Sequence, residues 1–400
     1  MKDNPLNINT PLKNTKFLLV SIIFIFFLVS GLTAVARAAT LYLLPQSQNV
    51  YKGDSFLVEV RLDSGGEGVN AAQVNLNFPT DLLEIVDFNK GGSIFSFWVI
   101  EPKSKDNLIF LTGGIPGGFK GDGLILKINF LAEEIGEAKI SFNEDSKVLL
   151  NDGKGTPAKL NFLEGNYEVV RKPEGLPIIS SRTHPDQNKW YKETTLHLHW
   201  DLVGGAEYSF LLSKDSLTEP DEIPDKPEGE LIWMGDMEYP NLEDGIYYFS
   251  LKQKLPGEDW SKKITFRAMI DSTSPENFKA EIGRDPSIFE GKYFLSFITI
   301  DEISGIDYYE ILEADKRGFK RGTTRKAEWK KGDSPYLLED QSLQSKILVK
   351  AVDKAGNEKI SEILPTVKPF PYLIVILVGL VVIVVIIYWL WKKYFNKRLK

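Results

Sequence analysis

Ser55-Phe56-Leu57-Val58-Glu59-Val60-Arg61-Leu62 decides the fold. Phe56, Val58, Val60 and Leu62 alternate with Leu57, Glu59 and Arg61. A period of two sends successive side chains to opposite faces, the pattern of a strand buried on one side. The pattern recurs in Ala71–Phe78, where Ala72, Val74, Leu76 and Phe78 form an apolar stripe and Ala71, Gln73, Asn75 and Asn77 point the other way. It recurs again in Leu124–Leu131, with Leu124, Leu126, Ile128 and Phe130. Glycine pairs punctuate the same region: Gly65-Gly66, Gly91-Gly92, Gly113-Gly114 and Gly117-Gly118, then Gly121 and Gly123. We read them as connections between strands. No segment here sustains a helical period. Many short strands joined by such turns predict a β-sandwich over residues 39–170.

Beyond it, the polar, proline-bearing RKPEGLP stretch (171–177) reads as a linker. A second sandwich is expected over 178–272, with strands at Thr195–Trp200, Tyr208–Leu212, Gly245–Lys252 and Ile264–Ile270. Trp190, Trp200 and Tyr208 are its large core anchors, and Leu217–Pro227 reads as an exposed loop. Ser272-Thr273-Ser274-Pro275 marks the next boundary. A third sandwich follows over 273–366, with strands at Tyr293–Ile300, Ile306–Glu313 and Lys346–Asp353. Two sandwiches of about 95 residues match the size of immunoglobulin-like modules, although the Cys-Trp-Cys signature is missing. The fold class is therefore all-β.

The two ends differ from this body. Phe17 to Leu32 is hydrophobic, follows Lys13 and Lys16, and precedes the small residues around Ala36-Arg37-Ala38. This predicts a signal peptide over 1–38, cut after Ala38, with an uncleaved anchor as the other reading. Tyr372 to Trp391 is a second apolar run, long enough to cross a hydrocarbon core of about 30 Å as a helix. Tyr388, Trp389 and Trp391 stand where an interfacial aromatic belt belongs. The basic tail 392–400, with Lys392, Lys393, Lys397, Arg398 and Lys400, marks the cytoplasmic side. The expectation is a single-pass membrane protein with its body outside the cell.

Charge and composition exclude several classes. The chain carries a net charge of -7. With four cations against one anion through Ala38 and five cations after Trp391, the stretch between carries about -15. So acidic a body disfavours nucleic acid as a partner. The chain has no cysteine. The sandwiches must then stand on their apolar cores, and thiol nucleophiles, Fe–S clusters and cysteine-type zinc sites are excluded. No N-x-S/T sequon occurs, and both absences favour a prokaryotic envelope.

The first sandwich resembles the cohesin family, a β-sandwich related to carbohydrate-binding modules. The resemblance rests on VYKGDSFLVEVRLD (50–63), VNAAQVNLNFPTDLLEIVDF (69–88), LTGGIPGGFKGDGLILKINFLA (111–132) and SKVLLNDGKGT (146–156), in the family's order. It implies a module that binds a dockerin-like protein module or an extracellular polysaccharide. Two departures stand out. Phe78-Pro79-Thr80 occupies the place of the family's Tyr-Asp-Pro turn, and Ala71 and Gln73 stand where an Asn and an Asp are common. The later domains are similar to Ig-like modules of prokaryotic surface proteins, on SSRTHPDQNKWY, HLHWDL, DEISGIDYYEI and VKAVDKAGNE.

The chemistry-bearing residues favour binding over catalysis. There is no G-x-S-x-G, H-E-x-x-H or phosphate loop, and no carboxylate pair stands out for glycoside hydrolysis, so no catalytic residues and no cofactor are expected. His197 and His199, two apart on a strand, leave the same face; such a pair can share a metal, but with Leu196, Leu198 and Trp200 behind them we read a polar face. Acidic residues gather near the domain joints at Asp271, Asp301, Glu302, Asp307, Asp353 and Glu358. EF-hand spacing is absent and Asp-rich turns form without metal, so no metal site is expected. The candidate ligand-binding residues are Gln73, Asn75 and Asn77, a row of amides on one sheet face. The expected function is a membrane-anchored surface protein whose distal module binds its ligand while the Ig-like domains form a stalk. A purely structural envelope protein and an anchored polysaccharide-degrading component are the alternatives.

Overall fold

The computed structural model describes residues 38–225, 235–314, 328–365 and 372–398, with helix side chains from 376 to 392. The expected signal segment lies outside the described residues, apart from Ala38. Backbone packing divides the chain into two compact units. One comprises residues 1–273 with 302–305, the other 274–301 with 306–400.

The first unit opens with twelve strands: β1 (Ala39–Leu44), β2 (Ser47–Tyr51), β3 (Ser55–Asp63), β4 (Val69–Asn77), β5 (Leu83–Asn89), β6 (Phe97–Lys105), β7 (Leu108–Phe119), β8 (Asp122–Ala132), β9 (Gly136–Phe142), β10 (Lys147–Leu150), β11 (Leu160–Leu163) and β12 (Gly165–Val170). They form two sheets. One runs β11-β1-β3-β8-β5; the other runs β2-β12-β9-β4-β7-β6, with β10 paired to β4. Parallel pairing of β1 with β11 and of β2 with β12 fastens the start of this sandwich to its end. The core is apolar throughout. The alternating residues Phe56, Val58, Val60 and Leu62 of β3 and Ala72, Val74 and Leu76 of β4 meet Ile109, Leu111, Ile128 and Phe130.

Two expectations for this sandwich need correcting. Gly113, Gly114, Gly117 and Gly118 are not connections but lie inside β7, and Gly123 lies inside β8. A Cβ on Gly113 would sit 2.0 Å from the Phe95 ring, and one on Gly114 2.3 Å from the Phe97 ring. Glycine in a strand here makes room for an aromatic laid across it. Strand β8 also departs from strict alternation: Leu124, Ile125 and Leu126 are all buried, and so is Asn129. A register shift opposite, between Val60 and Arg61, breaks the period. The sheet's other face is in part covered by the second sandwich, through Asn129 and Asn188.

That second sandwich belongs to the same unit. Its strands are β13 (Ser180–Ser181), β14 (Trp190–Tyr191), β15 (Leu196–His199), β16 (Glu207–Ser213), β17 (Asp236–Tyr239), β18 (Gly245–Lys254) and β19 (Ile264–Ile270). They form the sheets β13-β15-β17 and β14-β19-β18-β16. Trp190, Trp200 and Tyr208 are buried as expected. The described part of the 217–227 stretch is tied down rather than merely exposed. Asp225 accepts the Phe210 amide at 2.8 Å, and Lys263 donates to the carbonyls of Ser216 and Thr218.

The second unit holds β20 (Glu281–Asp285), β21 (Ile288–Ser296), β22 (Ile306–Ala314), β23 (Lys330–Lys331), β24 (Tyr336–Leu337), β25 (Lys346–Asp353) and β26 (Glu358–Ile363). The sheets are β20-β21-β24 and β23-β22-β25-β26, around Leu295, Phe297, Ile311, Ile347 and Val349. Helix α1 spans Tyr372–Arg398. Among the described residues, no helix is long and apolar enough to cross a membrane. The described chain is thus mostly β-sheet, and the spanning helix expected over 372–391 is not carried by the described residues.

Candidate functional site

Gln73, Asn75 and Asn77 stand on one face of β4, as the alternation predicts. Ala72, Val74 and Leu76 between them are 1%, 0% and 0% exposed. The amides themselves are half-buried rather than fully exposed. Gln73 donates to the Asp145 carbonyl at 3.3 Å, and the backbone of Asn75 is held from both sides by the Ser146 hydroxyl. The row is therefore fixed in place by the 143–146 turn.

Register sets what lies beside the amides. On β7, Gly114 stands opposite Ala71, Thr112 opposite Gln73, Phe110 opposite Asn75 and Leu108 opposite Asn77. On edge strand β6, Phe97 stands opposite Gly114, Ile100 opposite Thr112 and Lys103 opposite Phe110. On the other flank, Lys147 of β10 pairs with Gln73 and Leu149 with Ala71. The face thus carries an amide row, an apolar patch of Phe97, Ile100 and Phe110, and cations at either side. Phe97 is 42% exposed and Ile100 37%. The Phe97 ring lies over Gly114, and the Lys103 ammonium lies 5.4 Å from the centre of the Phe110 ring.

Sequence reasoning found the amides and missed their neighbours. The signal was present in Phe97-Trp98-Val99-Ile100, four strand formers in a row. Register shifts between Trp98 and Ile100 and between Ile100 and Lys103 break the alternation that would have announced a strand.

The two strand histidines do leave one face of β15, in front of buried Leu196 and Leu198. Each engages a different carboxylate. His197 Nδ1 lies 3.2 Å from Glu238 and 2.9 Å from Arg182, whereas His199 Nδ1 lies 3.0 Å from Asp236. The third histidine is deeper. His184 is fully buried, its Nδ1 lies 2.9 Å from the Thr183 hydroxyl, and burial lowers its pKa. Of the acidic residues near the joints, Asp271 accepts the amides of Thr273 and Ser304. Asp353 accepts the Asn357 amide and side chain across the 353–357 turn, where Gly356 takes a φ of 85°.

No family model matches the chain, and no curated protein matches it. Solved structures similar to it include cohesin modules, each matching about a third of the chain. A non-cellulosomal cohesin from the hyperthermophilic archaeon Archaeoglobus fulgidus is 18% identical over 34% of this chain and 95% of its own, with a TM-score of 0.29. The sixth cohesin of scaffoldin B from Acetivibrio cellulolyticus, solved in complex with a dockerin, is 18% identical over 34% of this chain and all of its own, with a TM-score of 0.29. A cohesin module of a family 33 glycoside hydrolase from Clostridium perfringens is 12% identical over 34% of this chain and 97% of its own, with a TM-score of 0.28. The likeness is one of shape over a third of the chain. At these identities and scores it carries nothing about what the chain binds.

Proposed function

We propose that this is a non-enzymatic surface protein whose first sandwich holds a protein partner on the outer face of β10-β4-β7-β6. The observation that carries the reading is the patch itself. An apolar centre of exposed Phe97 and Ile100 and half-buried Phe110 is framed by Gln73, Asn75, Asn77 and the cations Lys103 and Lys147. An apolar core with a polar rim is the composition of a protein interface. Such a patch on a body of about -15 net charge also gives a partner a local site of opposite sign. The sequence resemblance makes a dockerin-like module the expected class of partner.

The same reading places the protein in a membrane, with the first sandwich outside and the later domains as its stalk. What supports the anchor is the sequence. The run from Tyr372 to Trp391 contains no charge and is about as long as a span requires. Its described apolar side chains, from Ile376 to Trp391, are exposed. The cations that follow orient the tail to the cytoplasm.

Two measurements test this. Full-length chain in detergent is titrated with a panel of dockerin modules. Micromolar or tighter binding by one of them, weakened at least tenfold by Phe97→Ala with Ile100→Ala, supports the patch; no binding by any member contradicts it. Protease added to intact cells should remove the β-rich body, and its protection there would rule out the topology.

A further inference from the structure

A cleft of about 770 Å³ opens between the first two sandwiches, within one compact unit and away from the amide row. Its size is within the range of about 300–1,000 Å³ typical of small-molecule sites. Arg267 of β19 forms part of its lining and is 3% exposed. Its Nε donates to the Gln187 carbonyl at 2.9 Å, and its Nη2 donates to the side-chain oxygens of Asn129 at 3.0 Å and Asn188 at 2.6 Å. Its Nη1 has no hydrogen-bond partner among the described residues. No carboxylate among them comes within ion-pair distance of this guanidinium. Asp186 acts on it only from beyond that distance, and a buried charge whose hydrogen bonds all go to neutral groups is costly unless something of opposite sign compensates it.

The other cations of the cleft divide into two kinds. Lys252 and Lys263 are neutralised by Glu219 and Glu222, and Asp54 by Lys172. Lys262 is exposed and has no ion-pair partner among the described residues. Set against Asp186, the one lining carboxylate not yet counted, Arg267 and Lys262 leave one positive charge in excess. Around them the lining is rich in groups that both donate and accept hydrogen bonds, such as Gln48 and Gln187, and in half-buried aromatics, Tyr51, Tyr248 and Trp260. Amides and carboxylates suit hydroxyls, and an indole suits the apolar face of a sugar ring.

We infer that this cleft binds an acidic saccharide, its sugar ring against Trp260 and its carboxylate in the field of Arg267 and Lys262. The site is independent of the partner face on β4, β6 and β7. A chain attached to a cell by this protein would then hold a protein on one surface and an acidic glycan on another.

The probe is tri-galacturonate, titrated into full-length chain in detergent and followed by calorimetry and tryptophan fluorescence, with neutral maltotriose and a glutamate tripeptide alongside. The expected result is saturable binding of tri-galacturonate, at least tenfold weaker after Trp260→Ala and at least threefold weaker after Lys262→Gln. Both changes are at side chains outside the apolar core, so the melting temperature should hold. Binding should also weaken as salt rises. No binding at millimolar tri-galacturonate, or unchanged binding in both variants, overturns the site. Equal binding of maltotriose overturns the carboxylate assignment, and equal binding of the glutamate peptide overturns the saccharide.

Discussion

The first and second sandwiches share one compact unit but differ in the polar groups they bury. The first buries a large apolar set, from Leu41 and Val58 through Phe130 and Ile140, and its buried polar residues Ser64, Asn89, Asn129 and Ser146 are all neutral. The second buries ionisable groups as well, His184, Arg267 and Asp271, beside Ser209 and Gln253. Hydrophobic burial stabilises in proportion to area, at about 25 cal/mol per Å². Buried polar groups add stability only as far as they are paired. The first sandwich can therefore present a half-exposed face of amides and aromatics at little cost to its core. The second owes part of its order to groups supplied by the first, since Asn129 of β8 accepts from Arg267 and donates to Asn188.

The sharpest way to break this contrast is a charge in the apolar core. Val74 is fully buried opposite Leu111. Val74→Asp should cost more than about 4 kcal/mol and unfold the first sandwich, because it buries an unpaired carboxylate. A near-native circular dichroism spectrum and melt for this variant would show that the core is not the support claimed for it.

A smaller but still large effect is expected at the junction. Arg267→Ala strands Asn129, Asn188 and the Gln187 carbonyl, and should cost about 2–4 kcal/mol. Hydrogen exchange should then quicken in β19 and on the Asn129 side of β8, while β4 and β7 keep their protection. Uniform loss across both sandwiches would mean that they are one cooperative block.

Acid should separate the two as well. The buried imidazole of His184 is held neutral, its pKa lowered by burial, while the unfolded chain takes up a proton there below about 6.5. Its contribution is full above that value and is lost as pH falls below it, at a slope of at most about 1.4 kcal/mol per pH unit. Chemical denaturation at pH 7.5 and pH 5 should show the fall in the second sandwich, and His184→Gln should flatten it. An unchanged slope in that variant would assign the pH dependence to other groups.

How much of this was legible beforehand follows the same physics. Alternation announced β3 and β4 because each has one dry face, and it named Gln73, Asn75 and Asn77 as the outward row. It failed where a strand is covered twice or broken by a bulge. β8 skips Ile125 at a register shift and hides Asn129 beneath a neighbouring sandwich, and β6 slips register twice. Gly113 and Gly114 misled because local sequence cannot tell a turn from a place where an aromatic ring crosses a strand. Arg267 was invisible for a related reason. Its partners Gln187 and Asn129 lie 80 and 138 residues away in sequence, and no period links them.

The most direct test of the account is the affinity of the full-length chain for the dockerin module that binds it best in the panel, after Gln73→Ala with Asn75→Ala. The predicted result is at least a tenfold loss of binding with stability changed by less than about 0.5 kcal/mol, as expected of side chains outside the core. Binding as tight as the parent's in a double variant that melts normally would contradict the account and move the partner to another surface.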